Sequence, residues 1–252
     1  YSPDGAYPEG PSYWGYGTSY NVIAISMYRS ALGTDFHLAE SPGFMESATY
    51  RLLTEAPSGW SFNYSDAGLG GIDLGTWGLM SWFAKETGNG MYLDRNEFII
   101  LTREALENQE DLSRLAPTIL VWIAGYERKK NGNPPVYWKG EGENPIAIFR
   151  AEPEENTGFY LGVKGGSASV NHGNMDVGSF IFEAGGVRWS IDPGSQGYNK
   201  LEQIIGSGLW NGSQDGERWT LLTKNNYNHS TLTVNDALHR VEGYAPIIQF
   251  NT

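Results

Sequence analysis

Between Thr18 and Tyr126 the apolar residues recur at helical spacing. Val22, Ile25, Tyr28 and Leu32 step by 3, 3 and 4, and Gly33 then supplies a stop. Phe44, Ala48 and Leu52 step by 4, with Ser41 and Pro42 in N-cap and first-turn positions and Pro57 beyond the end. A third helix is expected from Thr76 to Lys85, closing at Gly88, and a fourth from Leu93 to Asn108. Leu112, Leu115, Ile119, Trp122 and Tyr126 share the stripe of a fifth. Short connections between five helices imply antiparallel neighbours. The run Asn131-Gly132-Asn133-Pro134-Pro135 then breaks the pattern.

After Pro145 the period changes to two. Strands are expected at Ile146–Arg150, Phe159–Val163, Ser179–Glu183 and Val187–Ile191, and further ones at Trp219–Thr223, Ser230–Val234 and Ile247–Phe250. Gly185-Gly186 between two such runs signals a hairpin. Short strands with frequent turns argue an antiparallel β-sandwich. The reading is therefore α+β by segregation: a helical domain over residues 1–133 and a β-sandwich domain over 134–252, which stops just after a strand pattern and so reads as truncated.

Composition narrows the function. Lys plus Arg is 17 against 29 Asp plus Glu, a net charge of −12, and no basic run exceeds Arg128-Lys129-Lys130. That lacks the electrostatic footprint of a nucleic-acid binder. The apolar stretch from Ile119 to Ala124 is far too short to cross a bilayer. With no cysteine, thiol chemistry and disulfides are excluded. Nine Trp and 15 Tyr supply flat faces that suit sugar rings, and equally an ordinary core. The chain starts at Tyr1 without initiator Met or signal peptide, which reads as a processed product or an excerpt.

Candidate chemistry concentrates in a few segments. Asn171, His172, Asn174 and Asp176 crowd polar groups immediately before a strand. All of them cannot be buried without partners, since each unpaired group costs roughly 1–3 kcal/mol. Asp192 stands at a strand end and His229 at a strand start, and an Asp, an Asn and a His from three strand ends could converge on one cation. Their spacing matches no metal-finger pattern, and turn-forming Asn and Asp with structurally bonded His explain it as well. The opening run from Tyr7 to Gly17 packs aromatics, glycines and Glu9 ahead of the first helix. Trp60-Ser61-Phe62-Asn63-Tyr64-Ser65-Asp66 has a similar make-up. Either set serves a binding site or wedges loops onto the helices.

These residues carry a resemblance. The segment Tyr7-Pro8-Glu9-Gly10-Pro11-Ser12-Tyr13-Trp14-Gly15-Tyr16-Gly17 resembles the tyrosine-bearing segment of the heparinase II/III-like polysaccharide lyases. Gly165 through Phe180, Arg188 through Gly194, and Asn225 through Leu232 are similar to that family's C-terminal motifs, in order. The resemblance implies an incomplete α/α toroid joined to an antiparallel β-sandwich. It implies β-elimination on a uronic-acid-containing polysaccharide, heparan sulfate-like or another uronan, in the periplasm or outside the cell. By carry-over Tyr13 is the tyrosine acting as base and acid, with Tyr16 the fallback, and His172 is the sandwich-side histidine. Glu9, Trp14, Asn63, Asp66, Arg188 and Arg218 are the expected substrate contacts. Related lyases hold zinc, and Asp192 and His229 resemble two of its ligands. Asn174 stands where a third would be, and its amide oxygen suits calcium better than zinc.

Other readings stay open. A further Asn or His supplied upstream in relatives is missing from this chain, which favours a non-catalytic carbohydrate-binding protein or inactive fragment on the same scaffold. It also favours oligomerisation to cover an exposed helical face. A hydrolase using Glu9 and Asp66 is a weaker option with no recognisable motif. The charge of −12 disfavours a heavily sulfated polymer unless local cations such as Arg150, Lys164, Arg188, Arg218, Lys224 and Arg240 reverse the sign in a cleft.

Overall fold

A computed structural model describes residues 1–93, 102–104, 107, 116–124, 133–151 and 158–251. Its first helix, α1 (Pro11–Leu32), starts a full two turns before the apolar periodicity does. Gly10, at φ 89°, turns the chain into it, Pro11 takes the first turn, and Gly33 ends it in the left-handed region. The aromatic run expected ahead of the first helix is thus its opening. Gly15 and Gly17, poor helix formers, disguised it.

Helix α2 (Ser47–Leu53) begins later than Ser41 and Pro42 suggested. Helix α3 (Leu74–Thr87) lies close to expectation: the Asp73 carboxylate accepts from Thr76 N at 2.7 Å, and Gly88 closes the last turn. The expected fourth helix falls almost entirely outside the described residues. Of the fifth, α4 (Ala116–Ile123) is described and packs against α3.

Five strands form one antiparallel sheet in sequential order: β1 (Tyr137–Gly140), β2 (Ile146–Arg150), β3 (Phe159–Lys164), β4 (Phe180–Ala184) and β5 (Val187–Ser190). Gly185 and Gly186, at φ 59° and 76°, make the expected hairpin between β4 and β5. Register sets which face meets the helices. Ile148, Gly162 and Ile181 lie in one cross-strand row, and Gly162 lets the buried Phe62 ring sit on the strand. The neighbouring row runs Arg150, Tyr160, Glu183, Arg188, with the Tyr160 hydroxyl donating to Leu53 O at 2.9 Å. Sheet residues Ile146, Ile148, Tyr160 and Ile181 therefore share a single core with Trp14, Phe62 and Phe83.

A Cβ at Gly162 would stand 2.7 Å from Phe62 Cδ1. Gly162→Ala is expected to cost about 1–3 kcal/mol by overpacking this seam. Urea unfolding checks it as a lower midpoint at unchanged slope.

The later strand expectations are not met among the described residues. Residues 191–251 hold one short helix, α5 (Tyr198–Ile205), 3₁₀ turns at Gly206–Trp210 and Glu217–Thr220, and irregular chain, so a second sheet is not formed there. Side chains have taken the carbonyls a ladder would need. The Asn225 amide donates to Trp219 O and Leu221 O, Asn228 to Leu222 O, and His239 Nε2 lies 2.8 Å from Leu232 O.

Candidate functional site

Elements far apart in sequence meet around one hydroxyl. Tyr13 projects from the first turn of α1, Tyr198 opens α5, His172 sits in the turn before β4, and Asp66 lies in the loop ahead of α3. The Tyr198 hydroxyl is 2.9 Å from Tyr13 Oη, 2.7 Å from His172 Nδ1 and 2.7 Å from Asp66 Oδ2. The Tyr13 and His172 rings stack at 4.0 Å between centroids. His172 holds φ at 53°, an uncommon conformation for a non-glycine residue and one met at functional sites.

Beside this cluster opens a pocket of about 300 Å³ lined by Asp66, His172, Tyr198, Trp210, Arg218 and Lys224, among others. Lys224 Nζ bonds Asp66 Oδ1, and Arg218 donates to Gly173 O at 3.0 Å while its Nε, buried, has no partner. Burial pushes Asp66 toward the neutral form. The His172 hydrogen bond, the Lys224 charge and bond, and the Tyr198 hydroxyl outweigh it and hold the carboxyl below its usual range. Tyr13 is pushed up, first by burial and then by the Asp66, Glu9 and Tyr16 charges, with the Tyr198 bond acting against them. Burial lowers both Lys224 and Arg218 against the pull of Asp66. The result is a protonated phenol stacked on an imidazole that shares its pocket with a carboxylate and two cations.

The other expected site residues are placed as follows. The Glu9 carboxylate accepts from Asn171 Nδ2 at 2.7 Å, latching the opening segment to the histidine turn. Trp14 is wholly buried near Phe83, inside the core. Tyr16 is exposed and lines a different cavity, of about 550 Å³, with Arg51, Asp73 and Trp122. Asn63 is buried, and its amide donates to Asp192 O at 3.1 Å. Arg188 does not line the His172 pocket; it donates to Glu183, Ser61 O and Trp60 O, tying the Trp60 loop to the sheet.

Asp192 and His229 do meet, but on each other. His229 Nδ1 lies 2.7 Å from Asp192 Oδ2, which also accepts from Ser179 Oγ, while Oδ1 accepts from Gly194 N. Asn174 turns its amide nitrogen to Ser65 O and Asp66 Oδ1, leaving its own oxygen and His229 Nε2 buried without partners. Among the described residues no group of three His, Cys, Asp or Glu is placed to hold a metal. No chemical step is routed through one.

Tyr198 carried no signal in the sequence: it follows a Gly-rich loop and matches no motif. Lys224 was legible only as one cation among several. Their proximity to Asp66 spans 132 and 158 residues of chain.

A tyrosine, a histidine and paired charges at the edge of a pocket are groups able to exchange protons with a ligand. Residues 146–243 match the family model described as heparinase II/III-like, C-terminal. That stretch, under half of the chain, holds His172, Tyr198, Arg218 and Lys224 and is similar to the C-terminal part of heparinase II/III-like proteins. No curated protein matches the sequence. No described helix is long and apolar enough to cross a membrane.

Proposed function

We propose that this chain carries the catalytic groove of a lyase that cleaves a uronic-acid-containing polysaccharide by β-elimination, built where the helices meet the five-stranded antiparallel sheet. One observation carries the reading: Tyr13 stacks on His172, which lines one pocket with Arg218 and Lys224. Elimination needs a base at C5, an acid at the 4-linked oxygen and a cation for the uronate carboxylate. His172 takes the C5 proton, the C5–H electrons form the C4–C5 double bond, and the C4–O bond breaks. The leaving oxygen receives the Tyr13 proton, which burial and neighbouring carboxylates keep on the phenol at neutral pH. Arg218, which lines the pocket, is the cation for the uronate charge. A chain of net charge −12 suits an unsulfated or weakly sulfated uronan better than heparin. Such a polymer places the enzyme in the periplasm or outside the cell.

The test is incubation of the chain with alginate, heparan sulfate and other uronans, following the ultraviolet absorbance of unsaturated uronate ends. Growth of that signal on at least one polymer is expected. Saturable binding without product would instead establish a non-catalytic carbohydrate-binding protein on this scaffold.

A further inference from the structure

The proton inventory at the Tyr198 hydroxyl has a single consistent solution. Asp66 accepts from Lys224, from Asn174 and from Tyr198, so its Oδ2, 2.7 Å from the Tyr198 oxygen, has no proton to give. The one hydroxyl proton of Tyr198 therefore points at Asp66. Tyr13 has Tyr198 as its hydroxyl partner and must donate to it. His172 Nδ1, 2.7 Å from the same oxygen, then faces an atom that only accepts, and its next neighbour, 3.5 Å away, is the Asp66 carboxylate. Both surroundings demand a proton on Nδ1.

We infer that Tyr198 and Asp66 are positioning residues that lock neutral His172 in its Nδ1–H form, leaving Nε2 as the basic nitrogen. This is the reverse of the tautomer free histidine prefers in water. Nε2 makes no hydrogen bond among the described residues, and the ring lines the pocket, so the lone pair is left available to substrate. The inference rests on the lyase reading only for the use made of that lone pair: Nε2 takes the C5 proton, and the resulting imidazolium keeps its Nδ1–H directed at Tyr198, next to a carboxylate. Asp66 touches no reacting atom. It acts through Tyr198, as a carboxylate behind a histidine does when it sets tautomer and orientation.

Long-range ¹H–¹⁵N correlation on the histidine-labelled chain at a pH of about 8, where an unperturbed imidazole is neutral, reads the tautomer directly. The His172 signals, assigned by their loss in His172→Asn, are expected to show a protonated Nδ1 and a bare Nε2. A wild-type chain with the proton on Nε2 would overturn the inference. Asp66→Ala frees the Tyr198 hydroxyl to donate to Nδ1, which moves the proton to Nε2, but it strands a buried lysine. Asp66→Leu combined with Lys224→Met removes both charges and keeps the fold testable. This pair is expected to show the Nε2–H form, with kcat lower by on the order of 10²-fold. Retention of Nδ1–H in the folded double variant would also overturn the positioning role. The two ideas fail separately: product formation with an Nε2–H wild type removes the positioning role alone, while an Nδ1–H wild type inert on every uronan removes the lyase reading alone.

Discussion

His172→Asn is expected to cut formation of unsaturated ends by about 10²–10⁴-fold, the range a positioned acid or base contributes, without unfolding the chain. Asparagine is the informative replacement because His172 stands at φ 53°, where Asn is among the better tolerated residues. Its ring belongs to no described apolar core cluster; it stacks on Tyr13 and bonds Tyr198. Loss of folding stability should stay near 1 kcal/mol. Measured together, kcat on the responsive uronan and the urea midpoint separate chemistry from structure. A variant that folds and retains wild-type kcat would remove His172 from the role of base. Tyr13→Phe keeps the stacked ring and removes only the hydroxyl, so its rate loss reports the acid step alone.

The second large effect concerns stability. Asp176→Ala is expected to destabilise the chain by about 3–5 kcal/mol. Asp176 is fully buried, accepts Lys164 Nζ at 2.6 Å and Ser65 N at 2.7 Å, and so pins the Asp66 loop to the end of β3. Truncation leaves the Lys164 ammonium, itself wholly buried, without its carboxylate. Adding Lys164→Met should recover most of the loss, because an apolar pair of similar volume avoids the desolvation that the ion pair must offset. Failure of the double variant to regain stability beyond Asp176→Ala alone would show that the Ser65 bond, not the charge pair, matters most. Burial pushes the Asp176 carboxyl up, but the Lys164 and His229 charges, the Lys164 bond and Ser65 N outweigh it, and the net shift is downward. A depressed carboxylate contributes stability that is present above its unfolded value, near 3.9, and is lost as pH falls through the folded value. Acid unfolding of the wild type should therefore show a step at low pH that the double variant lacks.

Both predictions concern residues that stand beside each other in the sequence and do different work in the fold. His172 and Asp176 belong to one polar turn before β4; the first faces the pocket and the second is sealed under the Ser65 loop. The sequence alone shows that the turn is too polar to be buried without partners, and it cannot say which partner each side chain finds.

What the chain's order of residues determined is local and periodic: α3 with its Gly88 stop, four early strands, the Gly185-Gly186 hairpin, and the tyrosine and histidine worth pairing. These follow from interactions within a few residues, or from a period of two or 3.6 that any burying surface would impose. Tertiary structure decided the rest. The strand expected at Trp219–Thr223 does not form, and the side-chain amides of Asn225 and Asn228 hold its carbonyls instead of a ladder. Arg188 serves the loop rather than the pocket because Glu183 lies across the strand from it. Tyr198 became the hub of the site because folding brings residues 13, 66, 172 and 198 to one oxygen, a coincidence of positions that no spacing along a chain can encode.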